Sequence, residues 1–149
     1  MGFAGLLPQI AAVQLILLGR RDPTDLAWIP VFSGYMLALG YGASILSFIG
    51  GMWWMLAMRR SVHQGRLAAM AVVPSLLGMG LVTVAPSSWP AGLATWPAVA
   101  MGLSILATLV VDRQLVRTGE APAGWMALRI PLSLGLGMLT IAAGMLVAR

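Results

Sequence analysis

The chain contains no cysteine and no lysine, and only 9% of its 149 residues are charged. Without cysteine the protein has no disulfide, no thiolate nucleophile and no cysteine ligand for a metal ion. The single histidine, His63, would need carboxylates to complete a zinc site, and the acids Asp22, Asp25, Asp112 and Glu120 lie in loops or at span ends. We therefore expect no metal or other cofactor and interpret His63 as a polar loop residue, with a metal or proton-transfer role as the weaker alternative.

The low charge also excludes an ordinary water-soluble domain. Hydrophobic residues make up 60% of the chain, and the mean hydropathy is +0.92. A soluble protein of this size needs charged side chains over most of its surface, whereas a lipid bilayer solvates an apolar surface. The composition predicts an integral membrane protein.

Apolar stretches of helical length supply the spans. A helix needs about 20 residues to cross about 30 Å of hydrocarbon, and the alternation typical of a membrane β-barrel is absent from the sequence. We therefore predict an all-α, polytopic protein, a compact bundle of five transmembrane helices in a single domain covering residues 1–149. The predicted spans are 1–18, 28–58, 67–86, 91–111 and 130–148.

Two of these spans need a choice between alternatives. The second is longer than one perpendicular crossing, and we interpret it as one tilted helix that begins at the interface near Trp28, with a re-entrant piece as the alternative. The first resembles a signal peptide, but its charges, Arg20 and Arg21, follow the apolar run instead of preceding it. We expect it to be retained as a true span.

The arginines predict the orientation. The side that holds the N-terminus and the two loops at 59–66 and 112–129 collects six arginines, against three on the other side. The positive-inside rule then places the N-terminus in the cytoplasm. Few and scattered arginines do not form a nucleic-acid surface. Abundant Ala, Gly and Arg without Lys indicate a bacterial gene, and we predict the inner (cytoplasmic) membrane, with anionic lipids as contacts.

Small residues recur at helical spacing in two spans. Such faces allow two helix backbones to approach closely in lipid. We expect these faces to pack spans two and five against each other or against their neighbours, with docking of another subunit as the alternative. The helix-packing residues are Ser33, Gly40, Ser44, Ser47 and Gly51 in the second span, and Ser133, Gly137, Thr140 and Gly144 in the fifth.

The loop at 112–129 is the longest connection and collects exposed cations. No Asp, Glu, Lys or Arg lies in the middle of a span, which argues against a proton-driven or sodium-driven transporter. Asp112 and its neighbour Arg113 are either paired locally or hold the end of span four to the loop. We expect a short interfacial helix here, and contact with acidic lipid or a partner subunit through Arg113, Arg117, Trp125 and Arg129.

Several segments resemble a known family. They are the stretch from Tyr41 to Gly51, the Val73–Leu77 segment, and Asp112-Arg113 followed by Pro122, Trp125 and the Leu128–Leu132 segment. Together they are similar to the family called domain of unknown function 3429, which includes the transmembrane-protein-69-like proteins. The resemblance covers residues 4–145 and implies a helical membrane protein. Where the family pattern has a His-Trp pair after the double glycine, this chain has Met52-Trp53-Trp54.

Three function classes fit these observations. A non-catalytic accessory subunit or assembly factor of a respiratory or photosynthetic complex fits best, because reactive side chains are so few. A small oligomeric carrier or channel needs a polar line, for which only scattered hydroxyls are available: Ser44, Ser47, Ser75, Thr83, Ser104 and Thr108. A membrane enzyme acting on lipid or quinone would have to use His63, Asp112 and the arginines. We predict no enzyme, and either partner subunits or a homo-oligomer.

Overall fold

The fold is built from helices joined by short connections. The structure, a computed structural model, describes residues 2–21, 23–60, 62, 64–89, 93–122 and 124–148, so His63 lies outside the described residues. Those residues contain no strand. A short 3-10 helix, Gly2–Leu6, leads into α1 (Leu7–Gly19), α2 (Trp28–Met58), α3 (Gln64–Ser88), α4 (Thr95–Arg117) and α5 (Trp125–Val147).

Four of these helices are long and apolar enough to cross a membrane, namely α2, α3, α4 and α5. Each of them supports the prediction of a span, because each contains a long apolar run whose few charged residues lie toward the helix ends. A helix also satisfies its backbone hydrogen bonds internally, as a membrane span requires. The second predicted span is one continuous helix with the predicted ends, Trp28 and Met58. No re-entrant break occurs in it.

The first predicted span differs from the other four. Helix α1 has 13 residues, which rise about 20 Å. The Gly5 carbonyl accepts a hydrogen bond of 2.7 Å from the Tyr41 hydroxyl, so the chain before α1 lies level with the middle of α2. At the other end, Arg20 donates to the Leu146 carbonyl. Helix α1 therefore covers about half the height of the bundle, and the prediction of five full-length spans is corrected to four long helices and one short one.

Helix α2 lies at the centre of the fold, because it contacts α1, α3, α4 and α5. Its buried side chains belong to three apolar clusters. Leu46 packs with Met101 and Ile105 of α4, Ile49 and Trp53 pack with residues of α3 and α4, and Ala38 packs with α1 and α5. Among the described helices, α3 contacts α2 and α4 alone, so it forms one side of the bundle.

Glycine sets the closest approaches between helices, but not at the predicted positions of α2. A methyl group added at Gly34 would lie 2.6 Å from the Ala12 carbonyl oxygen of α1, and one at Gly42 would lie 2.9 Å from the Met101 side chain of α4. A methyl group at Gly50 would collide with the Ala71 carbonyl of α3. These three glycines are spaced by eight residues, and each lies against a different neighbouring helix.

The connection between α4 and α5 is shorter than predicted. Helix α4 continues past Asp112 to Arg117, since Gln, Leu and Val sustain it, and it ends before Gly119, whose φ is +73°. Gly124, with φ +84°, precedes the first residue of α5. Both left-handed conformations favour glycine. The expected interfacial helix is therefore replaced by the continuation of α4 and the early start of α5.

Candidate functional site

A buried ion pair joins α4 to α5 near one end of the bundle. The Asp112 side chain is 0% exposed, and its Oδ2 accepts a hydrogen bond of 2.6 Å from Arg129 Nε. Since Arg129 lies within α5 and its side chain is 11% exposed, it is a helix-packing residue in this structure. The expectation that Arg129 lies in a loop is wrong, because it belongs to α5 and its guanidinium binds Asp112 inside the protein. Its contact with lipid or a partner subunit stays a prediction.

Two neutral side chains complete this cluster. Trp53 of α2 donates from Nε1 to Asp112 Oδ1 at 2.9 Å, so both carboxylate oxygens are satisfied. Arg129 also donates to Thr108 Oγ1 at 3.2 Å. We call these four residues the buried cluster. It ties three helices together, because its members come from α2, α4 and α5.

The sequence indicated part of this cluster and missed the rest. Asp112 was expected either to pair with its neighbour Arg113 or to hold the end of span four to the following loop. Arg113 is instead exposed, because consecutive residues of a helix point in different directions. One feature of the sequence could have indicated the pair. In α4 and α5, Asp112 and Arg129 are the charged residues that lie deepest within the helix, furthest from the connection between the two.

A second ion pair, between Arg60 and Glu120, lies at the surface of the same end of the bundle. Glu120 receives two hydrogen bonds from Arg60, of 2.5 Å from Nε to Oε2 and 2.6 Å from the terminal nitrogen to Oε1. Thr118 donates a third to Oε1, at 2.7 Å. The hydrogen bonds from Arg60 lower the pKa of Glu120 below its ordinary value of 4.5, and those to Glu120 raise the pKa of Arg60. The pair brings the α2–α3 and α4–α5 connections to one end of the molecule.

A cleft of about 1050 Å³ opens beside this surface pair. One side of it carries Arg59, Arg60 and Arg66, together with Glu120. Within the described part of the chain, the guanidinium groups of Arg59 and Arg66 make no hydrogen bond or ion pair, unlike that of Arg60. Most of the remaining wall is apolar and comes from α3 and α4, including Leu67, Met70, Val110, Val111 and Leu115, although Gln114 and Thr118 also line it.

A smaller cavity of about 230 Å³, open on its outer side, lies further along the same two helices, and we call it the inner cavity. It shares Met70 and Val111 with the cleft and continues past Pro74 and Ala107. Thr108 and Ser104 also line it, but both hydroxyls donate to carbonyls of their own helix. The inner cavity is therefore almost entirely apolar.

The predicted small-residue face of α5 lies at a helix contact. A methyl group at Gly137 would lie 3.1 Å from the Gly102 carbonyl oxygen of α4, and one at Gly144 would lie 2.5 Å from the Ala98 side chain. Thr140 and Ser133 are fully buried. Thr140 accepts a hydrogen bond from Gln9 of α1.

The predicted small-residue face of α2 points away from the bundle. Among the described residues, no atom beyond its own turn of helix lies within 4 Å of where a side chain would begin at Gly40 or Gly51. Ser33, Ser44 and Ser47 are exposed. The expectation that this face packs against another helix of the same chain is wrong. The packed glycines are displaced from it along the helix, and the alternative of docking another subunit stays a prediction.

The remaining predicted residues lie apart from the buried cluster. Arg113 and Arg117 are exposed on the last turns of α4, outside the walls of both cavities, and Trp125 is the half-buried first residue of α5. Their contact with lipid or a partner stays a prediction. In the described ranges no three His, Asp or Glu side chains come together in a way that would hold a metal ion.

The hydroxyls proposed for a polar line do not assemble into one. Ser44, Thr83 and Ser104 donate to backbone carbonyls four residues earlier in their own helices, and Ser44 and Thr83 face outward. Thr108 belongs to the buried cluster. These positions give no continuous polar path between the helices.

Comparison with known proteins identifies one relationship. The family model described as "Protein of unknown function (DUF3429)" matches residues 1–146. No curated protein matches the chain, and no solved structure matches it.

Proposed function

This chain belongs to the DUF3429 family of proteins of unknown function, and we propose that it is a non-catalytic accessory subunit or assembly factor of a larger membrane complex. The observation that carries this proposal is the outward small-residue face of α2. Its glycines Gly40 and Gly51 have open space beside them, although α2 is the central helix of the fold. Small faces are suited to close backbone contact in lipid, where dispersion and weak hydrogen bonds drive association.

The charged groups support a structural role. Asp112 and Arg129 satisfy each other and Trp53 in the interior, and Glu120 is occupied by Arg60. A catalytic carboxylate needs access to substrate, which favours the accessory role over a membrane enzyme. The scattered hydroxyls likewise favour it over a carrier or channel.

The partner is either another subunit of the complex or a second copy of this chain. We test docking by replacing Gly40 and Gly51 together with Leu and analysing the protein by native gel electrophoresis after mild detergent extraction. Since no described residue of another helix lies beside Gly40 or Gly51, the variant should fold and lose its associated subunit. The matched control is Gly80→Leu on α3, another glycine with open space beside it, which should leave the assembly unchanged.

Either of two results would contradict this role. One is a wild-type protein that migrates as a lone chain in every mild detergent. The other is equal loss of assembly in the α2 variant and in Gly80→Leu.

We further propose that the protein resides in the bacterial inner membrane with the arginine-rich end of the bundle in the cytoplasm. Arg60 and Glu120 bring the two basic connections to one end, in agreement with the positive-inside rule. This orientation does not depend on whether the short α1 crosses the membrane. A reporter active only in the periplasm, fused after Arg149, should be active. A silent reporter, with activity of a cytoplasmic reporter at the same position, would reverse the orientation.

A further inference from the structure

The cleft between α3 and α4 carries an excess of positive charge at one end. Three arginines, Arg59, Arg60 and Arg66, stand against one acid, Glu120, which leaves a formal charge of +2. Arg60 and Glu120 neutralise each other through two hydrogen bonds. The excess is therefore concentrated on Arg59 and Arg66, both exposed and unpaired within the described residues.

The opposite end of the cleft leads into an apolar passage. Met70 and Val111 line both the cleft and the inner cavity. From Arg66 at the mouth to Leu77 on the inner wall, α3 rises about 16 Å. That length is about half of the 30 Å hydrocarbon core, which is the reach of an acyl chain in one leaflet.

We propose that this cleft binds one anionic phospholipid of the surrounding bilayer, with the phosphate at Arg59 and Arg66 and one acyl chain along Met70 and Val111 into the inner cavity. Arginine is suited to phosphate because its planar donors match the phosphate oxygens. A free phosphate would leave the apolar wall unused, and a zwitterionic lipid would leave the charge of +2 uncompensated. This site is separate from the docking face of α2, whose small residues line neither cavity.

The headgroup is tested with the purified full chain and vesicles of phosphatidylglycerol or phosphatidylcholine. Lipid bound after detergent extraction is identified and counted by native mass spectrometry. The wild type should retain one phosphatidylglycerol and little phosphatidylcholine. Arg59→Gln with Arg66→Gln should weaken retention at least tenfold, as expected for two cations at a membrane surface.

The matched control removes the same charge elsewhere at the same end. Arg113→Gln with Arg117→Gln leaves the walls of the cleft intact and should retain the lipid. If this control loses the lipid while the Arg59/Arg66 variant keeps it, the cleft is not the site. Equal losses would mean general attraction to the basic end and would also overturn the proposal.

The acyl chain is tested by filling the inner cavity. Ala107→Phe places a ring in that cavity and should reduce phosphatidylglycerol retention severalfold, whereas Leu103→Phe, on the same helix but outside both cavities, should not. Inorganic phosphate should not compete with the bound lipid. Competition by phosphate, insensitivity to Ala107→Phe, or an acidic protein segment co-purifying in place of lipid would each refute the assignment. Where a variant fails to fold, the wild type still tests the proposal, because equal retention of phosphatidylcholine and phosphatidylglycerol would by itself overturn it.

Discussion

Removing one member of the buried ion pair should destabilise the protein far more than removing both. Arg129→Met leaves the Asp112 carboxylate fully buried with only the Trp53 hydrogen bond. Loss of one partner of a buried pair costs about 3–5 kcal/mol. Asp112→Leu should cost somewhat less, because the Arg129 side chain is 11% exposed and is able to reach toward water.

The double variant Asp112→Leu with Arg129→Met replaces two charges by apolar groups of similar size. Such replacements are often neutral or stabilising, but this one leaves the buried Trp53 Nε1 without its acceptor. We therefore expect the double variant to lose about 1–2 kcal/mol, the cost of one unsatisfied buried donor. The coupling between the two positions is then at least about 3 kcal/mol. Arg113→Met, an adjacent exposed arginine, should change stability by no more than about 0.5 kcal/mol.

The measurement is equilibrium unfolding in mixed detergent micelles, followed by tryptophan fluorescence and helix content. Two results would refute the reasoning. One is a pair of single variants that each cost less than about 1 kcal/mol, well below the loss for a buried pair. The other is a double variant whose loss equals the sum of the single losses, because that would show that the two groups do not interact.

Two further predictions concern other parts of the fold. Gly50→Ala should destabilise the protein by about 1–3 kcal/mol, since the added methyl group meets the Ala71 carbonyl, whereas Gly51→Ala should be neutral or slightly stabilising in the same unfolding assay. Equal effects at these adjacent positions would contradict the assigned face of α2. Glu120→Gln should cost about 0.5–1 kcal/mol at pH 7, because the lowered pKa of Glu120 adds stability above the ordinary value of 4.5. That difference should disappear as the pH falls through the lowered value, and a constant difference down to pH about 3 would count against the pair.

The four long helices were predictable from the sequence, because charged residues and turn residues lie at or near their ends. Helix α2 begins and ends as predicted, at Trp28 and Met58, where a charge-free run meets Arg59. Helix α4 extends further than predicted because Asp112 is neutralised inside the protein and so does not mark the end of the span.

The faces of the helices were harder to predict than their limits. In a soluble helix the polar side identifies the outward face, but a helix in lipid is apolar all round. The small residues around Gly40 and those around Gly42 lie on different faces of the same helix, and nothing in the spacing says which of them has a neighbour. Likewise, sequence proximity suggested Arg113 as the partner of Asp112. The partner in the structure is Arg129, which belongs to the next helix, α5.

Since α4 and α5 are both long and apolar enough to cross a membrane, the position of the buried ion pair bears on how such a pair of helices would be inserted. Asp112 and Arg129 belong to the same helical hairpin, α4 and α5, separated by one short connection. A lone Asp or Arg costs about 2.5–3.5 kcal/mol at the centre of an inserting helix and less toward its ends. Because both charges sit in one hairpin, the pair would enter a bilayer already neutralised. Trp53 of α2 adds its hydrogen bond to Asp112 where that hairpin packs against the central helix.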